Sequence, residues 1–85
     1  MKTFTYTIKD ELGIHARPAG LLAKVAKKFN SEIIIKKDEK SVNAVKLMSL
    51  MGLGIKFGDT VIVTVSGDDE DSAFEAMKEF FKSNL

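Results

Sequence analysis

Apolar residues recur in this chain with two different periods, and the order of those periods leaves few folds open. Over residues 3–8 the pattern alternates: Phe4, Tyr6 and Ile8 point one way, while Thr3, Thr5 and Thr7 point the other. Period two with β-branched and aromatic residues predicts a strand with one buried face. Over residues 16–29 the period changes to that of a helix. Leu22, Val25, Ala26 and Phe29 share one face, and Lys24, Lys27 and Lys28 lie elsewhere. Residues 32–37, around Ile33, Ile34 and Ile35, predict a second strand, and Asp38-Glu39 a turn into a short third strand over residues 40–43. Residues 46–53 are apolar nearly all round, which suits a two-turn helix ended by Gly52 or Gly54. Val61, Val63 and Val65 alternate in a fourth strand over residues 60–66. Residues 68–85 form the last helix, with Asp68 or Asp69 as cap and Phe74, Met77, Phe80 and Phe81 as its inward stripe.

The predicted order is β-α-β-β-α-β-α. Such a chain buries its apolar stripes most simply by laying three helices on one face of a four-stranded sheet, a two-layer α+β arrangement. The other face stays wet, as the alternating threonines suggest. No linker, repeat or low-complexity tract interrupts residues 1–85, so one domain is expected. At 85 residues a chain buries only about 60% of its unfolded surface, so the core must be efficient. No disulfide assists it, because there is no cysteine. That absence also excludes a thiolate metal site and a cysteine nucleophile, and it fits a reducing compartment. No apolar run approaches the ~20 residues of a membrane span, and no signal-peptide core opens the chain. A net charge of +1 gives no support to nucleic-acid binding. A cytoplasmic protein that meets other proteins, with no membrane insertion, is the expectation.

The only histidine, the only arginine and the only proline stand together in Gly13-Ile14-His15-Ala16-Arg17-Pro18-Ala19-Gly20. Pro18 suits the first turn of a helix, where a missing N–H costs little. His15 then falls at or beside the N-cap. The first N–H groups of a helix lack internal partners, and the helix dipole is positive there, so the junction favours an anion. A neutral imidazole nitrogen attacks a phosphoryl group, and the free N–H groups of Ala16 and Arg17 stabilise it. The Arg17 guanidinium offers charge-assisted bonds to the same oxygens. Gly13 and Gly20 are expected to keep the surroundings low, so that a partner's active site reaches the ring. Spacing alone is equally compatible with a solvated histidine, a surface arginine and ordinary helix punctuation. It offers no metal site, since one histidine without a carboxylate cluster coordinates poorly.

The second feature is Leu47, Met48, Leu50, Met51 and Leu53. A short helix on a sheet cannot bury all its sides, so some of Leu47, Met48 and Met51 should face solvent. Exposed methionine suits a surface that adapts to several partners. Lys24, Lys27 and Lys46 are candidates to rim that patch and steer acidic partners.

The segment from Gly13 to Ala19 resembles the active-site motif of HPr, the histidine-containing phosphocarrier family of the bacterial phosphoenolpyruvate-dependent sugar phosphotransferase system. Lys40-Ser41-Val42-Asn43, Met51-Gly52-Leu53-Gly54-Ile55 and Ser66-Gly67-Asp68-Asp69-Glu70 resemble later segments of the family at compatible spacing. The resemblance implies an open-faced β-sandwich with an antiparallel sheet. It implies that His15 accepts a phosphoryl group on Nδ1 from Enzyme I and donates it to IIA domains of sugar permeases, with Arg17 assisting. It implies that Leu47, Met48 and Met51 fall in a partner-docking helix, and with Gly20, Lys24, Lys27 and Lys46 they make up the expected partner surface. A relay protein that is not itself an enzyme, works as a monomer and needs no cofactor or metal is expected, with regulatory proteins as further partners. One position departs from the pattern: many Gram-positive members carry a kinase-regulated serine where this chain has Lys46, which has no hydroxyl. The other readings are a paralogous carrier in a nitrogen-related or dihydroxyacetone phosphorelay, and a non-catalytic adaptor using Leu47, Met48 and Met51.

Overall fold

A computed structural model describes residues 1–85. The elements run β1 (Lys2–Thr7), α1 (Ala16–Ala26), β2 (Glu32–Lys37), β3 (Lys40–Asn43), α2 (Leu47–Gly52), β4 (Thr60–Ser66) and α3 (Glu70–Asn84). That is the order the periodicities predict. The strands form one antiparallel sheet in the order β1-β4-β2-β3. Its register sets Phe4 opposite Val63 and Tyr6 opposite Val61, and sets Ile33 and Ile35 opposite Val65 and Val63. One face therefore collects the aliphatic residues. Leu22 and Ala26 of α1, Leu50 of α2, and Met77 and Phe81 of α3 join that face in one buried cluster of 20 residues, a single core. The opposite face is open. Thr3 and Thr64 hydroxyls meet there at 3.4 Å, and those of Thr7 and Thr60 at 2.9 Å, as cross-strand pairs in solvent.

Two helices stop short of their predicted ends. α1 ends at Ala26 because its last turn tightens: Lys28 N–H donates to Val25 and Phe29 N–H to Ala26, each three residues back. Phe29 still packs against the core, from a turn rather than from the helix. α2 begins at Leu47, with Lys46 as its extended N-cap. Leu53 and Gly54 close it with the same short bonds, and Gly54 supplies a φ of +63°.

The predicted cap of α3 behaves differently. Asp69 stands at the N-cap but makes no cap bond to its own helix. Its carboxylate instead accepts from Ser31 Oγ at 2.5 Å, Ser31 N at 2.9 Å and Asn30 N at 2.9 Å. Three donors converge on it from the approach to β2, so the bonds across the fold outcompete the local one. Glu70 ties down the turn before the helix instead, accepting from Gly67 N–H at 3.2 Å.

Candidate functional site

His15 is the N-cap of α1, extended at φ −103°, with no side-chain bond to the helix. Its carbonyl accepts from Ala19 N–H at 3.0 Å, the first intrahelical bond. The N–H groups of Ala16 and Arg17 donate to no protein acceptor, and Pro18 has none to donate. The helix start thus presents free donors beside a half-exposed ring, as the sequence predicts. Ala16 and Arg17 are exposed, while Pro18 is buried and anchors the turn.

His15 and Arg17 line one open depression of about 250 Å³, together with Asp10, Pro18, Leu21, Ser83 and Asn84. Asp10, Ser83 and Asn84 were not foreseeable as site residues from spacing around His15. Asp10 belongs to the preceding loop, and its Oδ2 lies 3.8 Å from His15 Nε2. Ser83 and Asn84 arrive from the far end of the chain, on α3. The loop is tied to that end: the N–H groups of Lys9 and Asp10 both donate to the Leu85 carbonyl, at 2.5 and 2.9 Å. The only forward signal was the acidic residue in a loop leading to the histidine.

Gly13 serves a purpose other than the expected one. Its φ is +67°, and a Cβ there would run into the Ile55 carbonyl oxygen and lie 2.6 Å from Lys56 Cα. Ile14 N–H donates to the Ile55 carbonyl at 3.0 Å. Gly13 therefore lets the loop pass hard against residues 55–56 and so sets where His15 emerges. Around Gly20, by contrast, a Cβ would meet nothing within 4 Å, which fits a low surface.

The remaining candidates lie outside the depression. Lys24, Lys27, Lys46, Leu47, Met48 and Met51 are exposed, with Met48 at 77%, and Leu50 and Leu53 fill the core beneath. α2 packs beside α1, so this patch adjoins the helix that carries His15 at its start. No group of three His, Asp or Glu side chains is arranged to hold a metal ion. No helix is long and apolar enough to cross a membrane.

A four-stranded antiparallel sheet covered on one face by three helices defines an open-faced sandwich, here with a histidine exposed at a helix start. The family model described as "PTS HPr component phosphorylation site" matches residues 2–83. The phosphocarrier protein HPr of Lysinibacillus sphaericus is 46% identical over 77 residues, covering 91% of this chain and 88% of that protein. HPr-C-His from Thermoanaerobacter tengcongensis superposes with a TM-score of 0.92 at 43% identity, covering 98% of this chain and 93% of that one. An HPr dimer from the same organism gives a TM-score of 0.77 at 43% identity, covering 98% and 95% of the two chains. The chain belongs to the HPr family, the phosphocarrier proteins of the phosphotransferase system.

Proposed function

We propose that residues 1–85 act as one phosphoryl-carrying domain, in which His15 receives a phosphoryl group from Enzyme I and passes it to IIA domains of sugar permeases. The observation that carries this reading is the half-exposed His15 ring at the start of α1, beside the unbonded N–H groups of Ala16 and Arg17. The Nδ1 lone pair attacks phosphorus and the bond to the donor breaks. The free N–H groups and the Arg17 guanidinium hold the charge that develops on the phosphoryl oxygens. These donors sit at an open surface, so they steady the group without enclosing it. The carrier is consumed and regenerated by the relay, and is a substrate of its partners rather than an enzyme.

Docking is assigned to Gly20, Lys24, Lys27, Lys46, Leu47, Met48 and Met51. Flexible exposed methionines rimmed by lysines suit acidic partners of different shape. The carrier is proposed to act as a monomer in the cytoplasm, meeting its partners one at a time. Lys46 offers no hydroxyl, so control by a serine kinase at that position is not expected here.

Incubation with phosphoenolpyruvate and Enzyme I should place one acid-labile phosphate on the protein, and His15→Ala should abolish it. A His15→Ala protein that still takes up the phosphate would overturn the assignment.

A further inference from the structure

We propose that Asp10 is a positioning residue: its carboxylate draws the Nε2–H of His15 towards itself as a hydrogen-bond acceptor and so leaves the free lone pair on Nδ1. This rests on the reading of His15 as phosphoryl acceptor. Asp10 is held on every side. Its N–H donates to the Leu85 carbonyl at 2.9 Å, and its carbonyl accepts from Gly13 N–H at 3.0 Å. Its Oδ2 accepts from Leu12 N–H at 3.1 Å, closing a local Asx turn. The same Oδ2 faces His15 Nε2 at 3.8 Å, with both side chains only partly exposed. Hydrogen bonds within a reactive site are commonly long in the free protein and tighten only when the partner is bound.

A neutral imidazole has one N–H and one lone-pair nitrogen, whereas a carboxylate only accepts. The nitrogen turned towards Asp10 therefore carries the hydrogen, and the other is the nucleophile. When the Nδ1 pair forms the N–P bond, the bond from phosphorus to the phosphorylated donor protein breaks and its electron pair leaves with the donor. The ring becomes a phosphorylated imidazolium whose Nε2–H bond to Asp10 is then charge-assisted. On the onward transfer the N–P pair returns to Nδ1. The Nε2 proton stays in place throughout.

Two variants separate the charge from the turn. Asp10→Asn keeps an oxygen for Leu12 N–H and removes the charge; Asp10→Ala removes both. Ring ¹⁵N spectra of the neutral histidine should show the Nε2–H form in the parent, with growing Nδ1–H admixture from Asp10→Asn to Asp10→Ala. Acceptance of phosphate from phosphorylated Enzyme I should slow in the same order, by about 10-fold in Asp10→Ala, short of the ~100-fold that a misplaced reactive group can cost. Urea midpoints establish that both variants fold. Ring spectra unchanged in both variants would overturn the proposal, whether or not the rate falls. A His15→Ala protein that accepts phosphate would instead remove the acceptor reading beneath it.

Discussion

At Gly13 a hydrogen stands where any side chain would press into the backbone of residues 55–56. Two penalties coincide there. A residue with a Cβ in the left-handed region costs roughly 1–2 kcal/mol, and the backbone opposite cannot swing aside as a flexible side chain would. Gly13→Ala should therefore destabilise the fold by about 2 kcal/mol or more, a sum of backbone strain and overpacking. Urea denaturation at neutral pH measures it, and a midpoint equal to the parent's would show the loop to be more yielding than argued. Arg17 makes the opposite case. It is exposed and forms no ion pair within the chain, so Arg17→Ala should change stability by no more than about 0.5 kcal/mol. Its transfer rate should fall about 100-fold, as when one donor to a developing charge is removed. Equal losses of rate and stability would make Arg17 structural.

The short helix α2 starts poorly. Lys46 occupies its N-cap, offers no acceptor to the first N–H groups and brings a positive charge to the positive end of the dipole. Lys46→Ser supplies an acceptor and should stabilise the protein by about 0.5–1 kcal/mol. A lower urea midpoint in that variant would mean that Lys46 contributes something the cap argument omits. α3 has a different device at its start. The Ser31 hydroxyl, then the Asn30 N–H, hold the Asp69 carboxyl below its ordinary pKa. A lowered folded-state pKa means that the unfolded chain binds the proton first. The stability it confers is present above the ordinary carboxylate range and is lost as pH falls through the lower folded value. Thermal melts from pH 7 downwards should show this loss, and Ser31→Ala should flatten part of it. Melting curves for Ser31→Ala that parallel the parent's at every pH would detach Asp69 from the acid sensitivity. The same residue marks a limit of reading elements from sequence. Periodicity revealed the elements whose buried stripe repeats locally, as Val61, Val63 and Val65 do, while β3, with no buried residue, was legible only from the Asp38-Glu39 turn before it and α2 from its dense apolar run. Asp69 was legible as a cap but not as a clamp on Ser31, because its competing donors come from a distant part of the chain.

That limit applies to the site as a whole. His15, Arg17 and the free N–H groups were legible because four consecutive residues contain them. Asp10 and the wall formed by Ser83 and Asn84 were not, since only tertiary packing brings α3 against the loop before α1. What holds α3 there is an aromatic cluster. Phe81 is fully buried and meets Phe4 and Tyr6 edge-on at centroid distances of 5.8 and 5.5 Å, with Phe80 at 6.3 Å. Phe4 and Tyr6 lie on β1, an edge strand with a neighbour only in β4. Phe81 thus joins the edge of the sheet to the helix whose end receives the N–H groups of Lys9 and Asp10. Phe81→Ala should cost about 3–5 kcal/mol, a large share of the roughly 5–15 kcal/mol that holds a small domain together. With about 4–8 °C per kcal/mol for a chain of this size, its melting temperature should drop by at least ~12 °C. Phe57, an aromatic of the same size but 63% exposed, is the control, and Phe57→Ala should stay within about 0.5 kcal/mol of the parent. Because Phe81 also seats the wall of the His15 depression, phosphate acceptance by Phe81→Ala should fall at temperatures where the variant is still mostly folded. If the rate holds until the melt, α3 supports the fold without shaping the site. If the melt barely moves, the join between β1 and α3 lies elsewhere than in this cluster.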